Sequence, residues 1–435
     1  MKTKLSRFLI AMVLISSIGI FQSCKPGGPV NMATGDAAEK VYVAPGKYDE
    51  FYNFVSGGFS GQMSVYGIPS GRLFRIIPTF SQDPTTGYGY SEETKAMLNT
   101  SHGYVPWDDL HHPAISTTNG EHDGRWVFGN ANNTPRVARI DLKTFRTAEI
   151  LELPNSGGNH SSPFITENTE YVVAGTRFSV PIGENRDVAI NTYKKNFRGT
   201  VSFIKVDQGT GRMSIAFQIV TPGMNFDLAR AGKGPSHGWF FFSCYNSEQA
   251  YTLLEVNSTQ KDKDFIMAVN WKKAEEYIAQ GKGVKKGVKY AHNVYDEKKH
   301  MATSEMLNEV LTLDPTVLKD IVYFIPCPKS PHGCDTDPTG EYIVGSGKLA
   351  ALIPVFSFSK IQNAIANKEF EGDFNGIPVL KYEAALHGEV QKPGLGPLHT
   401  EFDADGNAYT SFFVSSEIVK WNVKTLQVLD RVPTY

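Results

Sequence analysis

Residues 108–113 read DDLHHP, two adjacent histidines in a turn that opens a strand. Histidines return in comparable settings at His160 in GGNHSSPF, at His332 in KSPHGCDTDPTGEYIV and at His399 in GPLHTEFDADGNAYTSF. Each is followed by a turn and then an aromatic residue that starts a β-rich run: 14 residues from His112 to Trp126, 11 from His160 to Tyr171, 10 from His332 to Tyr342 and 10 from His399 to Tyr409. The histidines therefore occupy one structural slot of a repeat. Repeats set in a ring bring imidazoles from different repeats to its centre, which is how a fold gathers nitrogen ligands for a metal.

Working outward, each histidine is followed by short strands separated by polar or Gly-rich turns. Examples are HDGRWVFGNANNTPRVARIDLKTFRTAEILELP and GNAYTSFFVSSEIVKWNVKTLQVLDRV. The 48 residues between His112 and His160 match one propeller blade of about 40 to 50 residues. An immunoglobulin-like sandwich would alternate too, but would not return a polar residue to one slot unit after unit. The fold expected is all-β, of β-propeller type, with short helices in insertions. Helix-forming segments are 271–280 and 359–368, the second capped by Ser359. Between them the lysine-rich GKGVKKGVKY reads as a solvated surface loop. Residues 67–104 show little periodicity, with SQDPTTGYGYSEETKAML at 81–98 reading as a long loop with one short helix, and 25–60 reads as a leader ending in an irregular first strand.

The chain of 435 residues has a formal net charge of -2, which gives no electrostatic reason to expect a nucleic acid or an anionic membrane as partner. Lys2, Lys4 and Arg7 precede an apolar run from Phe8 to Phe21, too short to span a bilayer comfortably, so residues 1–24 read as an export signal. Cys24 in FQSCKPGG is a candidate lipidated residue; ordinary cleavage is the other reading. Both predict a periplasmic protein. The remaining cysteines, Cys244, Cys327 and Cys334, include no CxxC pair and read as buried free thiols.

His102, His122, His237, His292, His300 and His387 lack the repeated setting and read as hydrogen-bonded loop residues. His111, His112, His160, His332 and His399 share one register. In the sequence no aspartate or glutamate is seen in the slot, so calcium or magnesium there is disfavoured, and HExxH is missing. A nearly pure imidazole site suits copper or zinc, and five imidazoles exceed what one tetrahedral ion needs, which points to a polynuclear copper centre.

Taken together, DDLHHP, NHSSP, CPKSPHGCDTDPTGEYIVGSGKL and GLGPLHTEFDADGNAYTSFF resemble the N-terminal propeller of nitrous oxide reductase, over roughly residues 50 to 435. The signal KTKLSR resembles the form exported by the general secretory route. The resemblance implies a seven-bladed propeller holding a sulfide-bridged four-copper cluster through seven histidines. It also implies a C-terminal cupredoxin domain whose binuclear copper centre passes in electrons. His111, His112, His160, His332 and His399 correspond to the first five ligands. The other two histidines and the cupredoxin domain would lie past residue 435, so residues 61–435 are expected to form an incomplete propeller that is inactive alone. Also implied are a calcium site at Tyr245, Glu248 and Asp264, with Ser330 where the family tends to have asparagine. Implied partners are nitrous oxide, a c-type cytochrome or cupredoxin electron donor, copper-delivery proteins and a second copy of the chain. Two other readings stand beside this one. A non-catalytic exported propeller would bind a protein or glycan at its histidine end, and a lactonase-like hydrolase would need acidic ligands in the slot.

Overall fold

The structure is a computed structural model that describes residues 36–183, 187–245 and 264–434. The proposed signal and Cys24 lie outside the described residues. Two units are distinguished. In the smaller, residues 36–53 and 65–75, the Asp49 carboxylate accepts from the Ser70 backbone N–H at 2.9 Å and from Arg72 Nη2 at 3.1 Å.

The larger unit, residues 54–64 and 76–434, carries five four-stranded antiparallel blades, as the repeat reading requires. Blade one is Leu110–Thr118, Glu121–Ala131, Arg136–Asp141 and Arg146–Glu152. Blade two is Ser161–Ile165, Tyr171–Gly175, Phe197–Val206 and Met213–Pro222. Blade three is Asn225–Ala231, Trp239–Tyr245, Phe265–Asn270 and Val322–Pro326. Blade four is Pro331–Thr336, Tyr342–Gly347, Leu352–Ser357 and Leu386–Gln391. Blade five is Pro397–Phe402, Asn407–Phe412, Glu417–Asn422 and Val428–Pro433. The first strands of successive blades lie side by side, so they are the inner strands of a propeller. The fold is thus all-β and of the propeller type, with five blades among the described residues against the seven that the resemblance implies.

A propeller blade is covered on both faces, so its middle strands lose the alternation of a half-buried strand and become continuously apolar. Trp239–Tyr245, WFFFSCY, shows the consequence. Phe240, Phe242 and Cys244 pack toward Phe203 and Phe217 of blade two, while Trp239 and Phe241 face Ile343 and Phe356 of blade four. Similar apolar layers join blades one and two through Trp126, Phe128, Val172 and Ile204, and blades four and five through Val344, Val355, Phe412 and Trp421. Each such aromatic contributes about 1.5–3 kcal/mol on burial.

Several expectations are corrected. GKGVKKGVKY is not a surface loop: most of it lies in the strand Val284–Asp296, which forms a hairpin with Met301–Leu313. Period-two alternation is confined to Val288–Tyr290, with Val288 and Tyr290 buried and Lys289 exposed, and Ala291, His292 and Asn293 that follow are all buried. The helix Phe358–Ala366 is capped by Ser357, which accepts from the Lys360 N–H; Ser359 lies inside it and donates to Glu341. The other helix, Trp271–Ala279, is capped by Asn270. Within 67–104 the strand Leu73–Pro78 lies where little periodicity is visible, while the short helix expected in 81–98 is a 3-10 turn at Lys95–Leu98.

The long hairpin pairs with the outer strands of both blade one and blade two. Glu149 sits at that junction with no exposed side-chain surface. Its carboxylate accepts from Arg139 Nε at 3.1 Å, His292 Nε2 at 2.6 Å and the Met213 backbone N–H at 2.9 Å. Removing one partner of a buried charge network leaves the others unpaired and desolvated. Glu149→Ala is therefore expected to lower the free energy of unfolding by about 3 kcal/mol or more in a denaturant titration; a loss under about 1 kcal/mol would show that the hairpin is held by other means.

Candidate metal centre

The repeated slot is built by a repeated backbone irregularity. The pairing of each inner strand with its neighbour shifts register between Leu110 and Pro113, Ser161 and Phe164, Phe226 and Ala229, Pro331 and Gly333, and Pro397 and Thr400. His111, His112, His332 and His399 lie within these breaks, and His160 immediately precedes one. A β-bulge turns a side chain that regular pleating would send into the blade. Here five bulges turn side chains toward the axis.

Blade three places Asp227 within its break. The slot therefore contains an acid after all, contrary to the expectation from sequence, because blade three has no histidine there to reveal its inner strand. Asp227 is buried, and its two carboxylate oxygens serve neighbours on either side: Oδ1 is 3.0 Å from His160 Nδ1, and Oδ2 is 2.7 Å from His332 Nδ1. Lys348 Nζ lies 3.4 Å from Oδ2. Burial alone would raise the acid's pKa, but the hydrogen bonds from the two imidazoles outweigh it and hold Asp227 well below the usual carboxylate range.

The other ring orientations follow the same logic. His112 Nδ1 lies 3.0 Å from the His160 carbonyl oxygen, and His111 Nδ1 lies 3.5 Å from Asp109 Oδ2. The turn before His111 is pinned by Asp108, which accepts from the backbone N–H groups of Asn133 and Thr134 and pairs with buried Arg136. With Nδ1 engaged, His112, His160 and His332 each present Nε2, the arrangement by which outer partners orient metal-ligating histidines.

His111, His112 and His160 form a group whose candidate ligand atoms all lie within 4.8 Å of one another. His332 and His399 form a second pair, their Nε2 atoms 3.2 Å apart. Two nitrogens each about 2.0 Å from one tetrahedral ion would be separated by about 3.3 Å, so this spacing suits a shared metal. Gly333 explains how the pair meets. A Cβ on that residue would fall 2.0 Å from the Leu398 carbonyl oxygen, so only glycine lets the inner strands of blades four and five approach this closely. The groups feel one another: His160 is close enough to His399 to disfavour charge on the His399 ring.

All five histidines singled out from sequence are thus brought to the axial end of the inner strands. The other six are elsewhere; His292 binds Glu149, and His237 lies beside Glu167 and Glu170. Of the implied calcium ligands, Glu248 lies outside the described residues. Tyr245 and Asp264 are buried and opposed across blade three, next to the Cys244–Phe265 pair, and Asp264 accepts from the Ser330 backbone N–H at 2.7 Å. Cys244 and Cys334 are buried and Cys327 partly so, all unpaired by disulfide.

Partial burial, then the neighbouring His332 and Arg230, push His399 down to about 4. Burial, then His160 and His111, hold His112 well below the usual imidazole range. The fold keeps these rings neutral, whereas the unfolded chain takes up protons near pH 6.5. Their contribution to stability is full above that pH and is lost as pH falls toward about 4. The thermal midpoint of the metal-free protein should fall between pH 7 and pH 5, and fall less in His399→Asn; equal falls in both would count against neutral packing of this imidazole.

No family model matches the sequence. Curated relatives do. The nitrous-oxide reductase of Pseudomonas fluorescens is 33% identical over 396 residues, 90% of this chain and 56% of that protein. That of Stutzerimonas stutzeri is 29% identical, with 90% and 56% covered, and that of Cupriavidus necator 30% identical, with 91% and 58% covered. The chain thus spans little more than half the length of these relatives. Among solved structures, the hydrazine synthase of Kuenenia stuttgartiensis is similar at a TM-score of 0.48 and 13% identity, covering 88% of this chain and 80% of that one, a likeness too distant to inform the site. Over nine-tenths of its length, then, this chain is similar to the nitrous-oxide reductases that its histidine motifs resemble.

Proposed function

We propose that the inner-strand histidines hold copper and that this chain supplies the propeller part of a site reducing nitrous oxide to dinitrogen and water. The observation that carries the reading is the convergence of His111, His112, His160, His332 and His399, from four blades, with the outer nitrogens of the first four set against acids and a carbonyl. The donor set fits the metal. Neutral imidazoles suit copper, and the one acid in the slot, Asp227, is turned to the far nitrogens of two rings and so orients ligands. Two separate imidazole groups facing one axis suit a cluster better than a single ion, in keeping with the four-copper sulfide cluster that the resemblance implies.

When bound, such a cluster would supply two electrons together and a Lewis acid for the oxygen of an inert substrate. The chain's own residues do the rest. Asp227 fixes the tautomer and angle of His160 and His332, and the lowered proton affinity of His112 and His399 keeps both rings neutral, the form that binds metal, at neutral pH. Lys348, beside Asp227, offsets the buried charge and places an ammonium at the site's edge. A cupredoxin domain, a c-type cytochrome, copper-delivery proteins and a second copy of the chain are the partners that fit this reading, in a periplasmic location reached by the general secretory route, with or without a lipid on Cys24. The five histidines supply five of the seven ligands that the resemblance implies, enough for this part of the site to bind copper. Tyr245 and Asp264, with Glu248, remain our candidates for a calcium site, since hard oxygen donors suit that ion.

The test is metal analysis of protein loaded anaerobically with copper(I). More than one copper per chain is expected, His332→Ala should lose most of it, and Asp227→Asn should bind it about tenfold or more weakly through loss of ring orientation. Protein that purifies from copper-replete cells without copper, or His332→Ala with unchanged copper content, would favour a non-catalytic binding propeller.

A further inference from the structure

The axial channel has a second chamber beyond the histidines, independent of the copper reading. A cavity of about 260 Å³ opens at the opposite end of the inner strands, lined by residues of all five blades. Phe164 separates the two chambers, its ring 6.1 Å from His112 on one side and its side chain lining the cavity on the other. The wall carries donors without acceptors. Among the described residues, the Lys233 ammonium and the His122 imidazole make no hydrogen bond or ion pair, and the Thr336 hydroxyl is buried with no partner. Arg230 donates Nε to Asp335 at 3.1 Å and Nη2 to Glu401 at 2.6 Å, which leaves Nη1 uncommitted.

The carboxylates present decide what can enter. Asp335 is buried and locked to Arg230 and to the Thr400 backbone N–H. Glu167 also lines the chamber, and its Oε2 lies 3.1 Å from His237 Nδ1, a partner other than Arg230 and Lys233. Glu401 is the exchangeable member, with 75% of its side chain exposed and its pair with Arg230 open to solvent. An exposed ion pair contributes little and is readily displaced. An incoming oxyanion can replace Glu401 on Arg230, a guanidinium fork suited to paired oxygens, while Lys233 supplies the second charge.

We propose that this chamber binds a small, multiply charged oxyanion, tetrahedral like phosphate or a short dicarboxylate, between Arg230 and Lys233. Metal-free full-length chain is titrated calorimetrically with inorganic phosphate and, separately, malonate, with chloride at matched ionic strength as control. Saturable binding of at least one anion is expected, with preference for one identifying its shape. Lys233→Ala should weaken it about tenfold, Lys233→Arg should retain it, and Lys285→Ala, an exposed position on the outer hairpin, should leave it unchanged. No saturable binding of either anion, unaltered affinity in Lys233→Ala, or loss of binding in Lys285→Ala would overturn the assignment.

Discussion

The centre depends on a single buried carboxylate shared between two blades. Asp227 comes from blade three, the one blade without a slot histidine, and accepts from His160 of blade two and His332 of blade four. A buried carboxylate is costly unless its lone pairs are filled, and two imidazole N–H groups and an ammonium fill them here. The same bonds choose the tautomers, leaving both rings with Nε2 free of the acid. Charge satisfaction and ligand orientation are thus one interaction, so a change in Asp227 would be felt by metal affinity and by folding together.

Around that constraint the fold acts as a positioning device. Five bulges turn side chains to the axis, and the absent side chain of Gly333 lets blades four and five close until His332 and His399 stand one metal-pair distance apart. The aromatic layers between blades hold the inner strands in place, since a packed core transmits rather than absorbs displacement. Beneath the histidines, buried Asp335 of blade four pairs with Arg230 of blade three and accepts from the Thr400 backbone N–H of blade five, tying the three inner strands into one belt.

The histidines were legible because a residue type returning at one position of a repeat is a signal that needs no structure. Propeller architecture followed from the same spacing. Blade three was not legible: its slot holds Asp227, which in sequence is an ordinary acid in NFDLAR, and a long insertion separates its third and fourth strands. The Val284–Asp296 strand was hidden because its first half is exposed and rich in lysine, the residue that also marks solvated loops. Ser357 and Ser359 were equally good caps by composition, and only hydrogen bonding to the Lys360 N–H separates them. What sequence lacked in each case was which distant segment lay alongside.

The most direct test is a crystal structure of copper-loaded protein with anomalous differences collected on either side of the copper absorption edge. Copper peaks are expected on the axis within bonding distance of Nε2 of His111, His112, His160, His332 and His399, with the Asp227 oxygens still on Nδ1 of His160 and His332. Copper bound elsewhere, or coordinated by Asp227 in place of the imidazoles, would contradict the account.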